Sequence, residues 1–152
     1  MARFLPLALM VGMALWEASP VEACTCVVPT AVEALETSDL VVTGRVVKAE
    51  PVSAGLIGVD IAVEHTFKGD ARKSIRVFTR PSGASCYEFA FQAGERYLVV
   101  AMLPAARSPR IPMLGDLPDG EYITGVCTGT VPLGTSEGRD RLRGIQQHAK
   151  DR

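Results

Sequence analysis

Four cysteines carry most of the chemical potential of this 152-residue chain: Cys24, Cys26, Cys86 and Cys127. As free thiols, a Cys-x-Cys pair suits thiol exchange or a soft metal; as disulfides, the same residues brace a fold. The compartment decides between the two, and residues 1–23 identify it. A basic start at Arg3, an apolar run from Phe4 to Trp16 and a small-residue cleavage pattern at Val21-Glu22-Ala23 read as a secretory signal peptide, which makes Cys24 the first mature residue. The apolar run is short for a membrane span and contains Pro6 and Gly12, and no later segment is apolar enough for a transmembrane helix. The chain is therefore expected to be secreted, extracellular or periplasmic, with its cysteines oxidised. A lipid anchor on Cys24 is disfavoured, because Glu22 stands where a lipoprotein signal needs a small or aliphatic residue.

Four cysteines allow three connectivities, and a Cys24–Cys26 bridge is disfavoured by the strain of so small a ring. Either remaining pattern closes two long loops and ties the mature amino end to the neighbourhoods of Cys86 and Cys127. A chain end held in this way presents a rigid α-amino group. The amine and carbonyl of one residue form a five-membered chelate, and an open catalytic zinc accepts nitrogen and oxygen donors. With an ordinary pKa of about 8, the amine is partly neutral at physiological pH and has a lone pair to give.

Other constellations are weaker. Gly134-Thr135-Ser136-Glu137-Gly138 spells a nucleophile-elbow pattern, but it lies near the end of a chain too short for that fold, and its one downstream histidine is His148. Ser136 reads better as a helix cap. His65 and His148 offer no metal-ligand spacing, and Glu64-His65 reads as a solvated pair. No enzyme activity and no cofactor of the chain's own are expected. Tyr87, Phe89 and Phe91 alternate and could form a base-stacking platform, but core packing accounts for them better. The whole chain has 16 basic and 17 acidic residues, and removing Arg3, Glu17 and Glu22 with the leader leaves a formally neutral mature chain. That balance argues against nucleic acid as a partner.

The elements that must position the cysteines are legible in outline. Thr30-Ala31-Val32-Glu33 is a capping box that opens a short helix over Ala31–Thr37. Runs rich in β-branched and aromatic residues follow at Leu40–Lys48, Leu56–Phe67, Ser74–Thr79, Tyr87–Phe91, Arg96–Met102 and Tyr122–Val131, each predicted as a strand. In the second run Ile57, Val59, Ile61 and Val63 alternate with Gly58, Asp60, Ala62 and Glu64, as in a half-buried antiparallel strand. A terminal helix from Ser136 places Leu142, Ile145 and Ala149 at helical spacing. Strands joined by short turns, with helices only at the ends, predict a mainly β fold: one small closed antiparallel barrel spanning residues 24–152. The connection from Leu103 to Gly120, with four prolines and with Arg107 and Arg110, is long for an irregular loop and reads as mobile or as a contact surface.

Cys24-Thr25-Cys26-Val27 with Pro29, then Ala34-Leu35, Ser38-Asp39-Leu40-Val41-Val42, Phe67-Lys68-Gly69, Cys86 and Cys127, resembles in order the amino-terminal domain of the tissue inhibitors of metalloproteinases. The resemblance implies an oligonucleotide-binding-type barrel, the netrin-like module, bridged Cys24–Cys86 and Cys26–Cys127. It implies a secreted, monomeric inhibitor of zinc metalloendopeptidases whose Cys24 backbone amine and carbonyl bind the target's zinc. Thr25 would enter a specificity pocket, with Val27 and the Ala84-Ser85 turn beside it. The alternative is a netrin-like module that binds another extracellular protein or surface. The chain departs from the family pattern at Glu36, where a third bridge is expected, at Val28 in place of a proline, and in having no second disulfide-rich domain.

Overall fold

The computed structural model describes residues 26–53, 55–70, 72–81, 86–104 and 117–151. Helix α1 (Ala31–Thr37) begins at the predicted capping box. Thr30 Oγ1 accepts from the Glu33 amide at 3.3 Å, and the Thr30 amide donates to Glu33 Oε2 at 2.8 Å. The Thr30 amide first, and its hydroxyl second, hold the Glu33 carboxyl below the ordinary carboxylate range. At the other end Lys68 Nζ donates to the carbonyls of Leu35 at 2.7 Å and Glu36 at 3.0 Å, where a cation offsets the helix dipole.

Six strands form one sheet in the order β5-β3-β2-β1-β4-β6. They are β1 (Leu40–Ser53), β2 (Leu56–Lys68), β3 (Ser74–Thr79), β4 (Arg96–Ala101), β5 (Tyr122–Ile123) and β6 (Val131–Pro132). The start of β1 (Leu40–Gly44) and most of β4 are buried at successive positions, because both faces are covered there. Leu40, Val42, Tyr97 and Val99 pack with Val59, Ile61 and Val77 on one side. Val41, Leu98 and Val100 pack on the other side with Ala34 and Leu35 of α1 and Ile145 of helix α2 (Ser136–Lys150).

Five expectations need correction. The sheet is not closed into a barrel: its edge strands β5 and β6 do not pair with each other, and a single bridge, Met102↔Ile123, spans the gap between the end of β4 and β5. A two-residue β5 is too short to build a ladder there. Nor is the sheet wholly antiparallel, since β5 runs parallel to β3 through Val77↔Tyr122 and Phe78↔Ile123. Tyr87–Phe91 is not a strand. Its one ladder contact is the Arg80↔Glu88 bridge, while Phe89 and Phe91 lie against Tyr97 at centroid distances of 5.7 and 4.9 Å and cover the core. The Tyr122–Val131 run breaks into β5, a 3₁₀ turn at Val126–Thr128 and β6, because glycines stand on both sides of the turn. At α2 the cap is Thr135 rather than Ser136: Thr135 Oγ1 accepts from the Gly138 amide at 3.0 Å. Among the described residues no helix is long and apolar enough to cross a membrane.

Candidate functional site

Cys26, at the start of the arm that leads into α1, is bonded to Cys127 in the 3₁₀ turn, joining positions separated by 101 residues. The turn is irregular backbone and must be held from outside. Three buried hydroxyls hold it. Thr124 Oγ1 donates to the Val100 carbonyl at 2.9 Å and lies 2.7 Å from Thr130 Oγ1. Thr130 Oγ1 accepts from the Val100 amide at 2.9 Å, and Thr128 Oγ1 donates to the Gly125 carbonyl at 2.8 Å. These groups satisfy one another away from water, so the turn that carries Cys127 is fixed to Val100 near the end of β4.

The Cys86 segment lies against the same turn. A Cβ on Gly125 would sit 2.4 Å from Tyr87 Cα and 2.8 Å from the Cys86 carbonyl oxygen, so only glycine allows the two backbones to come this close. The Val126 amide donates to the Glu88 carbonyl at 3.0 Å, and the Tyr87 carbonyl accepts from Thr79 Oγ1 at 2.7 Å and from the Arg80 amide at 2.9 Å. Cys86 is disulfide-bonded, and no cysteine among the described residues is free. Burial pushes the Tyr87 phenol above its ordinary pKa. Segments 26–29, 86–88 and 125–128 thus form one edge of the molecule.

That edge is apolar toward solvent. Val27 is 92% exposed, Val126 43% and Val28 41%, one or two positions from the two ends of the Cys26–Cys127 bridge. Beside them is a cleft of about 230 Å³ lined by Val27, Pro29, Thr37, Ser38, Met102 and Cys127 among others, with no charged side chain. Such a surface suits an apolar stretch of polypeptide better than a polyanion.

Of the residues singled out from the sequence, Cys26, Val27, Cys86 and Cys127 are brought to this edge. Cys24, Thr25, Ala84 and Ser85 lie outside the described residues, as do residues 1–23 and the centre of the Leu103–Gly120 connection. The histidines are elsewhere. The His65 ring lies 4.5 Å from that of Phe67, tilted by 57°, and its neighbour Glu64 pairs with Arg96 (Oε2 to Nη2, 2.5 Å) rather than with it. His148 and Ser136 stand near opposite ends of α2, about 18 Å apart at a helical rise of ~1.5 Å per residue. His148 Nε2 is buried without a hydrogen-bond partner. Among the described residues no group of three or more His, Cys, Asp or Glu side chains could hold a metal ion.

The supports of the edge carry little signal in the sequence. Gly125 and the threonines around Cys127 read as ordinary strand and turn residues, and the spacing of Thr124, Thr128 and Thr130 is their one sequence signal. Arg141, which also reaches the arm, has none. No protein-family model matches the chain, and no curated protein matches it.

Proposed function

We propose that the mature chain is an exported inhibitor of zinc metalloendopeptidases of the tissue-inhibitor type, acting through the backbone amine and carbonyl of Cys24 after cleavage behind Ala23. The observation that carries this reading is the convergence of Cys26, Cys86 and Cys127 on one edge beside an uncharged cleft, with the amino-terminal arm bonded into it at Cys26. A chelating amine needs a rigid backbone immediately after it, because ordering a free chain end on binding costs affinity. In this reading Cys24 pairs with Cys86, Thr25 enters the target's pocket, and Val27 and the Ala84-Ser85 turn lie along the cleft. The zinc belongs to the target, and the chain itself catalyses nothing.

The topology supports the fold that goes with this function. The β3–β5 parallel pair and the Met102↔Ile123 bridge, whose two amide–carbonyl bonds are each 2.9 Å, bring the end of β4 toward β5, as a partly open oligonucleotide-binding-type barrel would, although the sheet itself is open. The exposed Val27, Val28 and Val126 support a second reading, a netrin-like module that docks on another extracellular protein without touching zinc.

Amino-terminal sequencing followed by selective acetylation of the α-amine separates the two. The inhibitor reading expects a start at Cys24, stoichiometric inhibition of a zinc endopeptidase, and loss of that inhibition on acetylation with the melting temperature unchanged. A different start, or inhibition that survives acetylation, removes the chelating amine from the account. Binding without inhibition selects the docking module.

A further inference from the structure

We infer that Arg141 is the positioning residue of the amino-terminal arm, so that the carboxy-terminal helix sets the direction in which the arm leaves the fold. Arg141 Nη1 donates to the Pro29 carbonyl oxygen at 2.5 Å, a partly buried bond across 112 positions of sequence. Space for the guanidinium comes from Gly129, two residues after Cys127. Its φ is +92°, and a Cβ there would lie 2.8 Å from the same Nη1 and 3.4 Å from Pro29 Cγ. The guanidinium is therefore wedged between the two chain segments that the Cys26–Cys127 bridge joins. The neighbouring carboxylate, Asp140, pairs with Arg143 instead.

The arm is consequently held at two points, by sulfur at Cys26 and by the guanidinium at Pro29. Pro29 has no N–H, so its carbonyl is the one backbone polar group by which it can be held, and its ring already fixes φ. Between the two points Val27 and Val28 form a short bow whose side chains face solvent. One fixed end would leave this bow free to turn about the Val28 and Pro29 ψ angles; two fixed ends define its path. Thr30 then enters the α1 cap. Arginine suits the role because its planar fork stays charged and presents several donors, whereas a lysine offers one mobile point charge.

The consequence for inhibition rests on the reading proposed above, while the consequence for the arm does not. The test uses the mature chain and its Arg141→Met and Arg141→Lys variants, with backbone ¹⁵N relaxation at Val27 and Val28 and inhibition of a zinc endopeptidase as separate readouts. The wild type is expected to show order parameters of about 0.85 at both valines, falling below about 0.6 in Arg141→Met, with core amides of β1 and β4 unchanged. Inhibition is expected to weaken about tenfold in Arg141→Met, the scale of one hydrogen bond from a charged donor, and to recover in part in Arg141→Lys. Should Arg141→Met lose the fold, Arg141→Lys carries the same comparison. Disordered valines in the wild type, or equal order in wild type and variant, overturn the inference whatever the inhibition shows. A rigid arm in a wild type that inhibits nothing leaves Arg141 in its role and removes the protease.

Discussion

From Val41↔Lys68 to Ser53↔Leu56 the β1–β2 hairpin is held by its own ladder, with Arg76 reaching Asp60 and Glu50 across its solvent face. From Tyr122 to Pro132 the chain has only two short strands and is held by atoms from elsewhere: a sulfur of the arm, the backbone of β4 and the carbonyl of Glu88. The hairpin spreads its stability over many equivalent bonds, and the loss of any one is shared. The cysteine edge depends on fewer bonds, each made by a different kind of group. A surface that must present a chain end in one geometry gains from the second construction, at the cost of tolerance to substitution.

The contrast orders the expected effects. Replacing Cys26 and Cys127 together by alanine should cost about 4.7 kcal/mol, the figure the chain-entropy model gives for a loop of ~100 residues. Urea unfolding measures it, and a loss under about 1 kcal/mol would mean that the edge is held without the bridge. Gly125→Ala comes next, at about 1–3 kcal/mol, because its Cβ meets the Tyr87 backbone rather than a side chain that can move aside. Thr130→Val keeps the shape but leaves the buried Val100 amide without its acceptor, and a loss of about 1–2 kcal/mol is expected by the same measurement.

The hairpin should respond least. Asp60→Asn removes the pair with Arg76, an exposed contact expected to be worth less than about 1 kcal/mol. The Arg76 hydrogen bond holds the Asp60 carboxyl below its ordinary range, against opposing desolvation. A depressed carboxylate contributes stability that is fully present above its unfolded pKa of about 3.9 and is lost as pH falls through the lower folded value. Wild type should therefore lose a small increment below about pH 4 that Asp60→Asn lacks. If Asp60→Asn costs as much as Gly125→Ala, the contrast between the two regions is wrong.

What could be read from residue order follows the same division. The α1 cap, the long strands and the start of β4 were visible because propensity, capping and period-two burial all act within a few residues of one another. Tyr87–Phe91 misled because alternating aromatics are equally well buried by irregular backbone lying over a core end. Tyr122–Val131 misled because the β-branched content of Thr124, Val126, Thr128 and Thr130 serves a hydroxyl cluster and an exposed surface rather than a ladder. The cysteines marked the edge, but Gly125 and Arg141 support it through contacts 38 and more than 100 positions away in sequence, between Gly125 and Tyr87 and between Arg141 and Pro29, which no local pattern encodes.

The most direct test of the account is to add a single alanine ahead of Cys24 and measure inhibition of a zinc endopeptidase alongside thermal unfolding. The prediction is that inhibition is abolished, because the α-amine moves one residue from the chelating position, while the unfolding midpoint stays where it was, because the bridge and the threonine cluster are untouched. Undiminished inhibition by the extended chain would contradict the chelation mechanism and leave the apolar edge as a docking surface.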